Sequence, residues 1–449
     1  MSSTHIVVDL GFGDAGKGTM VDALARRSST PPLVVRYNGG AQAGHNVHTD
    51  DGRHHTFSQF GAGTFVPGSR TLLSEHMIFH PTGLMAENEH LVSVGVQDAI
   101  RRLLVDGRAL VVTPYQQSAN RLREIARGDG RHGTCGLGIG ETVGDSNDRP
   151  DMAVRASDLL DVATLRRKMV MTREWKRHQI APLLATLVKY DEATPDIAVI
   201  EDTALIEKAV QTYARIGDLL RIVDPVVVDF QIRESEHVVF EGAQGVLLDE
   251  WYGFHPHTTW STTTTKNADA LIARAGRAGP VSRMGVIRAY ATRHGQGPFP
   301  TEDATLSSLL PDRHNLDTSL QGRFRVGWFD VPLARYALSL CPGITELAVT
   351  CIDRCGVSPW KFCEAYEVPE ESRERFYQLE PGGVSVGLRV HPPGDLVYQE
   401  RLAKDLLLAK PVYREPDRPE GIVETIEKSL DVPVLVRSMG PTANEKVWL

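Results

Sequence analysis

Short β-branched runs alternate with amphipathic stretches along most of this chain. Ile6-Val7-Val8, Leu33-Val34-Val35, His237 to Phe240, Val286 to Ala291, Leu347 to Thr350 and Val432 to Val436 have the length and branching of buried strands. Ala109 to Thr113 and Val226 to Phe230 read the same way. Met20, Val21, Ala23, Leu24 and Ala25 carry helical spacing, and residues 82–128 predict a helix on each side of the 109–113 strand. Residues 157–222 interleave charged and apolar positions as helices do, and Glu420 to Ser429 predicts a closing helix. His45 to Phe57 alternates about Asp51-Gly52 and predicts a hairpin. Strands alternating with helices predict an α/β fold, with a mostly parallel central sheet flanked by helices. With no internal repeat and no low-complexity linker, the pattern predicts one large domain over 1–449. Subdomain insertions interrupt it, a helical one at about 157–222.

The junction between the first strand and the first helix carries the clearest chemistry. Gly11, Gly13, Gly16 and Gly18 surround Asp14 and precede or flank Lys17. Strand, glycine loop, lysine and helix form a phosphate cradle, in which backbone amides and a helix N-terminus face the anion. The pattern G-x-x-x-x-G-K-[ST] holds from Gly11 to Lys17, but Gly18 stands where a hydroxyl would hold magnesium. Asp14 is then the candidate metal anchor. The plainer alternative is a turn with incidental glycines.

Other loops offer candidates of the same kind. Asn38 to Asn46 follows the second strand, where ligands bind in α/β sheets, and places His45 behind Gly39, Gly40 and Gly44. His45 is a candidate acid or phosphate contact, or else a solvated loop histidine. Gly133 to Gly140 is a second glycine-rich loop, continued by Asp145 to Asp151. The hydroxyl-rich run from Pro256 to Thr265 reads first as a helix cap, and alternatively as a phosphate contact. Arg323 and Arg325 alternate on an extended segment, which suits carboxylate capture or a solvated face. His48, His54, His55 and His80 have no metal-ligand spacing and read as surface or packing residues.

Composition narrows the class. Apolar residues make up 41% and charged residues 24%, and the net charge of −8 gives no basic excess for nucleic acid. The apolar runs fall short of the roughly 20 residues of a membrane helix, and the first residues lack the basic flank of a signal peptide. Five cysteines, odd in number and sparse, predict reduced thiols in a cytoplasmic protein.

Taken in order, GDAGKG with VD after it, RYNGGAQAGHN, GTCGLGIG, FEGAQGVLLD, AYATRHGQGPFPTE, the arginine segment ending RVGW and the terminal SMGP resemble the adenylosuccinate synthetase family. The likeness runs from Gly11 to Pro441. It implies a ligase that uses GTP and magnesium to phosphorylate the 6-oxygen of inosine monophosphate (IMP), which the amine of aspartate then displaces. It implies Asp14 as base and metal ligand, the Gly44 carbonyl as second metal ligand, His45 as acid, and Lys17 as stabiliser of the transferring phosphoryl group. Gly13, Gly16, Gly18, Asp353, Ser438 and Gly440 would meet the triphosphate nucleotide. Asn38, Cys135, Gln244, Thr259, Arg323 and Arg325 would meet the monophosphate or the amino acid. The family is a homodimer that lends an arginine across its interface, and Arg149 or Arg155 is the candidate.

Departures cluster at the recognition positions. Ala15 replaces a glutamate, Cys135 a threonine, Leu137 an arginine and Cys351 a lysine that packs on guanine. The amino-acid loop reads Thr318-Ser319-Leu320-Gln321-Gly322-Arg323-Phe324-Arg325, with only two of four arginines. Two further readings therefore stand beside adenylosuccinate formation. One is the same chemistry on a modified nucleotide, with another amino acid or with ATP, in a divergent paralogue. The other is a nucleotide-binding regulator without ligation.

Overall fold

Ile6, Val7 and Val8 are buried in the middle of a ten-stranded sheet. The structure, a computed structural model, describes residues 2–130, 133–312, 322–357, 360–380, 384–415 and 421–449. From one edge the strands run Lys446–Trp448, Val434–Ser438, Glu346–Thr350, Ser282–Arg288, Ser3–Asp9, His237–Glu241, Leu33–Arg36, Arg70–Leu73, Leu103–Asp106 and Arg221–Val223. Every neighbouring pair is parallel except the first. Ser3–Asp9 pairs in register with Val7 opposite Glu241 on one side and Val8 opposite Gly285 on the other.

Successive side chains of a strand face opposite ways. Ile6 joins Leu33, Val35, Phe240 and Leu271 in one apolar cluster, and Val7 joins Met20, Val34, Val239 and Val286 in another. Helices cover both faces, as a parallel sheet requires. The fold is therefore the α/β class with a mostly parallel central sheet. Because the strands are parallel, the loops after Asp9, Arg36, Glu241, Arg288, Thr350 and Ser438 leave the same edge of the sheet.

Several predicted elements differ. Ala109 to Thr113 is not a strand: Leu110 and Val111 make only single bridges, to Arg155 and Phe79, and the strand is Leu103–Asp106. Val226 to Phe230 lies in the helix Pro225–Glu234, whose Val228 and Ile232 pack one turn apart under the sheet. Pro225 starts that helix, and burial of one face outweighs the strand preference of valine. The strand expected at Val286 to Ala291 ends at Arg288, and Ala291–His294 pairs separately with Phe324–Gly327. Arg70–Leu73 was not anticipated. Residues 157–222 hold the helices Val162–Ile180, Thr194–Glu201 and Ala204–Leu219, as predicted, and also the edge strand Arg221–Val223. The hairpin turns at Asp51-Gly52, with His45–His48 against His54–Phe57. Among the described residues, no helix is long and apolar enough to cross a membrane.

Candidate active site

The glycine loop is held from beneath by the last residue of its own strand. Asp9 is fully buried, and its carboxylate accepts from Gly11 N (2.8 Å), Ala15 N (2.9 Å) and Lys17 Nζ (2.9 Å). Lys17 opens the helix Lys17–Arg27, after Gly16 in the left-handed conformation. The far side of the loop is fixed by Thr350 Oγ1 donating to Ala15 O (2.7 Å) and Arg288 Nε donating to Asp14 O (2.6 Å). Gly245 presses against it so closely that a Cβ there would lie 2.1 Å from Gly11 O.

Above this loop opens a cavity of about 1470 Å³. Pockets for one drug-sized ligand span roughly 300–1,000 Å³, so this cavity has room for more than one substrate. Asp14, Lys17 and His45 all line it, together with Gly13, Gly16, Gly18, Gly44, Cys135, Gln244, Thr259, Asp353, Ser438 and Gly440. Among the described residues, four non-glycine residues have left-handed backbone, and three of them, Asp14 (φ 59°), Gln244 (φ 59°) and Cys351 (φ 58°), stand on this wall. Such conformations cost about 1–3 kcal/mol each and gather at functional sites.

The Asp14 side chain is 28% exposed, toward the cavity. Enclosure by the loop raises its pKa, a rise opposed by Arg288, His294 and Lys17 and reinforced by Asp9. His294 Nε2 lies 4.0 Å from Asp14 Oδ2. His45 is buried, with Nδ1 2.5 Å from Glu241 Oε1. Glu241 ends the strand beside Ser3–Asp9 and also accepts from Ala62 N (2.9 Å). Burial works to raise the pKa of Glu241, but the Arg36 charge and the hydrogen bond from His45 outweigh it and leave it lowered. Burial pushes His45 down to about 4, against the pull of Glu241. The resting ring is thus neutral, with its proton on Nδ1 donated to an ionised Glu241. Its Nε2 finds no partner among the described residues.

The predicted residues do not all reach the cavity wall. Asn38 is fully buried and clamps two loops: Oδ1 accepts from Ala243 N (2.7 Å), and Nδ2 donates to Ala243 O (3.2 Å) and Thr262 O (3.1 Å). Arg149 points outward, 44% exposed, beside Asp151 and over Trp175. Arg155 donates to Arg108 O (2.7 Å). Arg323 is exposed, whereas Arg325 pairs with Glu302 at 2.8 Å and donates to Gly297 O. The two arginines therefore do not form one carboxylate clamp here, because Glu302 already occupies the second. Thr318, Ser319, Leu320 and Gln321 lie outside the described residues.

The hydroxyl-rich run does not cap its helix. Thr265 precedes Lys266–Ala275 without a side-chain cap, while the Thr262 and Thr263 hydroxyls bond Glu250 and Asp249. Of the other histidines, His80 caps the helix Pro81–Ser93, His55 meets His90, and His48 stacks on His54. All five cysteines are free thiols, and no cluster of three or more metal-ligating side chains occurs among the described residues.

Asp9, Glu241, Arg288 and His294 are the site residues that sequence reasoning passed over. Two of them offered a cue: an acid that closes a buried apolar strand immediately before a glycine loop, as both Asp9 and Glu241 do.

A family profile described as adenylosuccinate synthetase matches residues 6–447. The adenylosuccinate synthetase of Halothermothrix orenii is 30% identical, over 98% of this chain and 97% of its own. That of Thermosynechococcus vestitus is 34% identical over 83% of this chain and 79% of its own. Among solved structures, fully ligated adenylosuccinate synthetase from Plasmodium falciparum superposes with a TM-score of 0.77 at 21% identity, covering all of both chains. A cyanophage S-2L succinoaminodeoxyadenylate synthetase bound to dGMP and dATP gives 0.60 at 16% identity, covering 100% of this chain and 95% of its own. These two likenesses are of fold.

Proposed function

The chain belongs to the adenylosuccinate synthetase family, and from that premise we propose that it joins aspartate to IMP, with GTP as the phosphoryl donor, to form adenylosuccinate. The observation that carries the reading is that Asp14, Lys17 and His45 line one and the same cavity. A pure nucleotide binder needs neither a carboxylate in the phosphate loop nor an imidazole beside it, so the regulator reading is not favoured. Family membership over nearly the whole chain likewise favours the IMP and aspartate reaction over a variant substrate.

The roles are those that the family resemblance implies, and the lining of the cavity is compatible with them. Asp14, whose pKa is raised by enclosure, takes the N1 proton of the purine as the 6-oxygen attacks the γ-phosphorus. Lys17 and the amides of Gly13, Gly16 and Gly18 face the transferring group, in a reaction that asks chiefly for positioning and charge stabilisation. His45 is neutral at rest. An arriving triphosphate offsets the Arg36 and Lys17 charges that help keep it so, and the imidazole, taking a proton from solvent as the triphosphate binds, can donate it from Nε2 to the departing diphosphate. Glu241 holds the ring for that donation. The aspartate amine then attacks C6 and inorganic phosphate leaves.

Magnesium fits what the loop presents. It keeps waters and binds through one or two carboxylates plus substrate phosphates. Asp14 offers one cavity-facing carboxylate, and Gly44 on the same wall offers a carbonyl. When bound there, the ion would neutralise charge on the phosphates.

Arg149, exposed and directed outward, is the candidate to complete the monophosphate site of a second copy in a homodimer. Asp353, Ser438 and Gly440, which line the same cavity, are the candidates to meet the triphosphate nucleotide, and Lys446 Nζ ties Gly440 O (2.6 Å) and Thr442 O (2.7 Å) beside them. The test is product formation from IMP, aspartate and GTP, followed by mass spectrometry, for wild type and Asp14→Asn. Wild type should form adenylosuccinate. Asp14→Asn should lose turnover by about 10²-fold or more, the scale of general-base catalysis, while still binding GTP. Turnover that survives the substitution removes Asp14 as the base.

A further inference from the structure

Nothing in a phosphate-binding loop calls for a buried carboxylate beneath it, yet Asp9 is fully buried there and bonded to two loop amides and to Lys17. Lys17 is itself only 3% exposed. A lysine ammonium carries three donors on a flexible four-carbon stem, and without a second anchor its direction is loose. Asp9 takes one donor from behind, at 2.9 Å, and leaves the others to the cavity that Lys17 lines. The same carboxylate is fully buried and does not line that cavity, so it is a negative charge set beneath the loop.

We propose that Asp9 is a positioning residue for phosphoryl transfer: it fixes Lys17 for the transition state and weakens ground-state binding of the triphosphate by repulsion. The proposal rests on the function above. Its physical basis is differential binding. Only an interaction stronger in the transition state than in the ground state raises kcat, and a donor already aligned meets that condition. A negative charge near the bound triphosphate works the other way on affinity.

Asp9→Asn keeps the side-chain size and removes the charge. GTP should bind more tightly, about fivefold, as repulsion is relieved, while kcat falls by about tenfold or more as Lys17 loses its anchor. A merely structural residue would weaken both and lower the melting temperature.

Should Asp9→Asn not fold, because it strands a buried ammonium, a second pair decides. Lys17→Met leaves the carboxylate unopposed and should weaken GTP binding. Lys17→Met with Asp9→Asn removes both charges and should recover about tenfold in affinity, with no recovery of kcat. Affinities are read by calorimetry with GTP, and rates by single-turnover product formation.

Asp9→Asn within twofold of wild type in both quantities overturns the inference, as does loss of both together or no recovery in the double variant. Wild type that binds GTP but makes no adenylosuccinate refutes the proposed function instead. The affinities alone then decide Asp9, by the same tightening and recovery.

Discussion

Replacing Glu241 with glutamine tests the reading of His45 without touching a group that lines the cavity. Glu241 is fully buried and holds Nδ1 of His45 at 2.5 Å and Ala62 N at 2.9 Å. Glutamine has the same shape. If its carbonyl keeps Ala62 N, its NH₂ group faces Nδ1 and drives the ring proton onto Nε2. The neutral tautomer changes, and the imidazolium loses its charged partner. A hydrogen bond to a charged group contributes about 1.5–3 kcal/mol. Losing it only when the imidazolium forms lowers kcat by about 10- to 150-fold. That is below or at the low end of the roughly 10²–10⁴-fold that general acid catalysis supplies, as weakening the acid without removing it should be. The KM for GTP should move by less than about threefold, since Glu241 acts through His45 and meets no phosphate. Steady-state product formation measures both constants. His45→Ala, alone and combined with Glu241→Gln, gives the cycle: residues acting as one unit are not additive, so the double variant should be no slower than His45→Ala. A kcat within threefold of wild type, or two losses that multiply, refutes the pairing of Glu241 with His45 as a catalytic unit.

Two further outcomes follow from single contacts. Burial pushes Asp330 up to about 7, and its Oδ1 accepts from Leu333 N and Tyr366 Oη. The folded state therefore holds a proton that the unfolded state releases above about pH 4, so this group lowers stability as pH rises from 4 to 7. The slope is about 1.4 kcal/mol per pH unit, to a limit of about 4 kcal/mol. Asp330→Asn should flatten that slope in denaturant titrations and be the more stable protein at pH 8; an unchanged pH dependence refutes it. Gly245→Ala should disrupt the phosphate loop, since the new Cβ would meet Gly11 O at 2.1 Å and Gly13 N at 2.2 Å, both backbone atoms. GTP binding by calorimetry should weaken by at least about tenfold, the equivalent of 1.4 kcal/mol of strain out of the 1–3 that overpacking costs; affinity equal to wild type shows the contact to be soft.

The chain from Val7 to Asp22 was legible because each local preference agrees. β-branched residues favour the strand, glycines the loop and apolar spacing the helix, and all three elements appear in the structure. The Val226 to Phe230 run was not, because three valines favour a strand locally. The face formed by Val228 and Ile232 finds its apolar partners only once the sheet exists. Asn38 was legible as a residue in an important loop but not in its role: its partners Ala243 and Thr262 are more than 200 positions away.

Residue order alone marked the strand and helix on either side of the first glycine loop, most of the strands beside it in the sheet, and the short glycine loops that carry Asp14, Lys17 and His45. It could do so because backbone preference and apolar period act over a few residues. What stands behind those groups is set by the folded chain. Asp9 reaches Lys17 across eight positions and Glu241 reaches His45 across 196. A buried carboxylate takes its meaning from the charges that the fold brings within a few ångströms of it, and sequence distance does not record that separation.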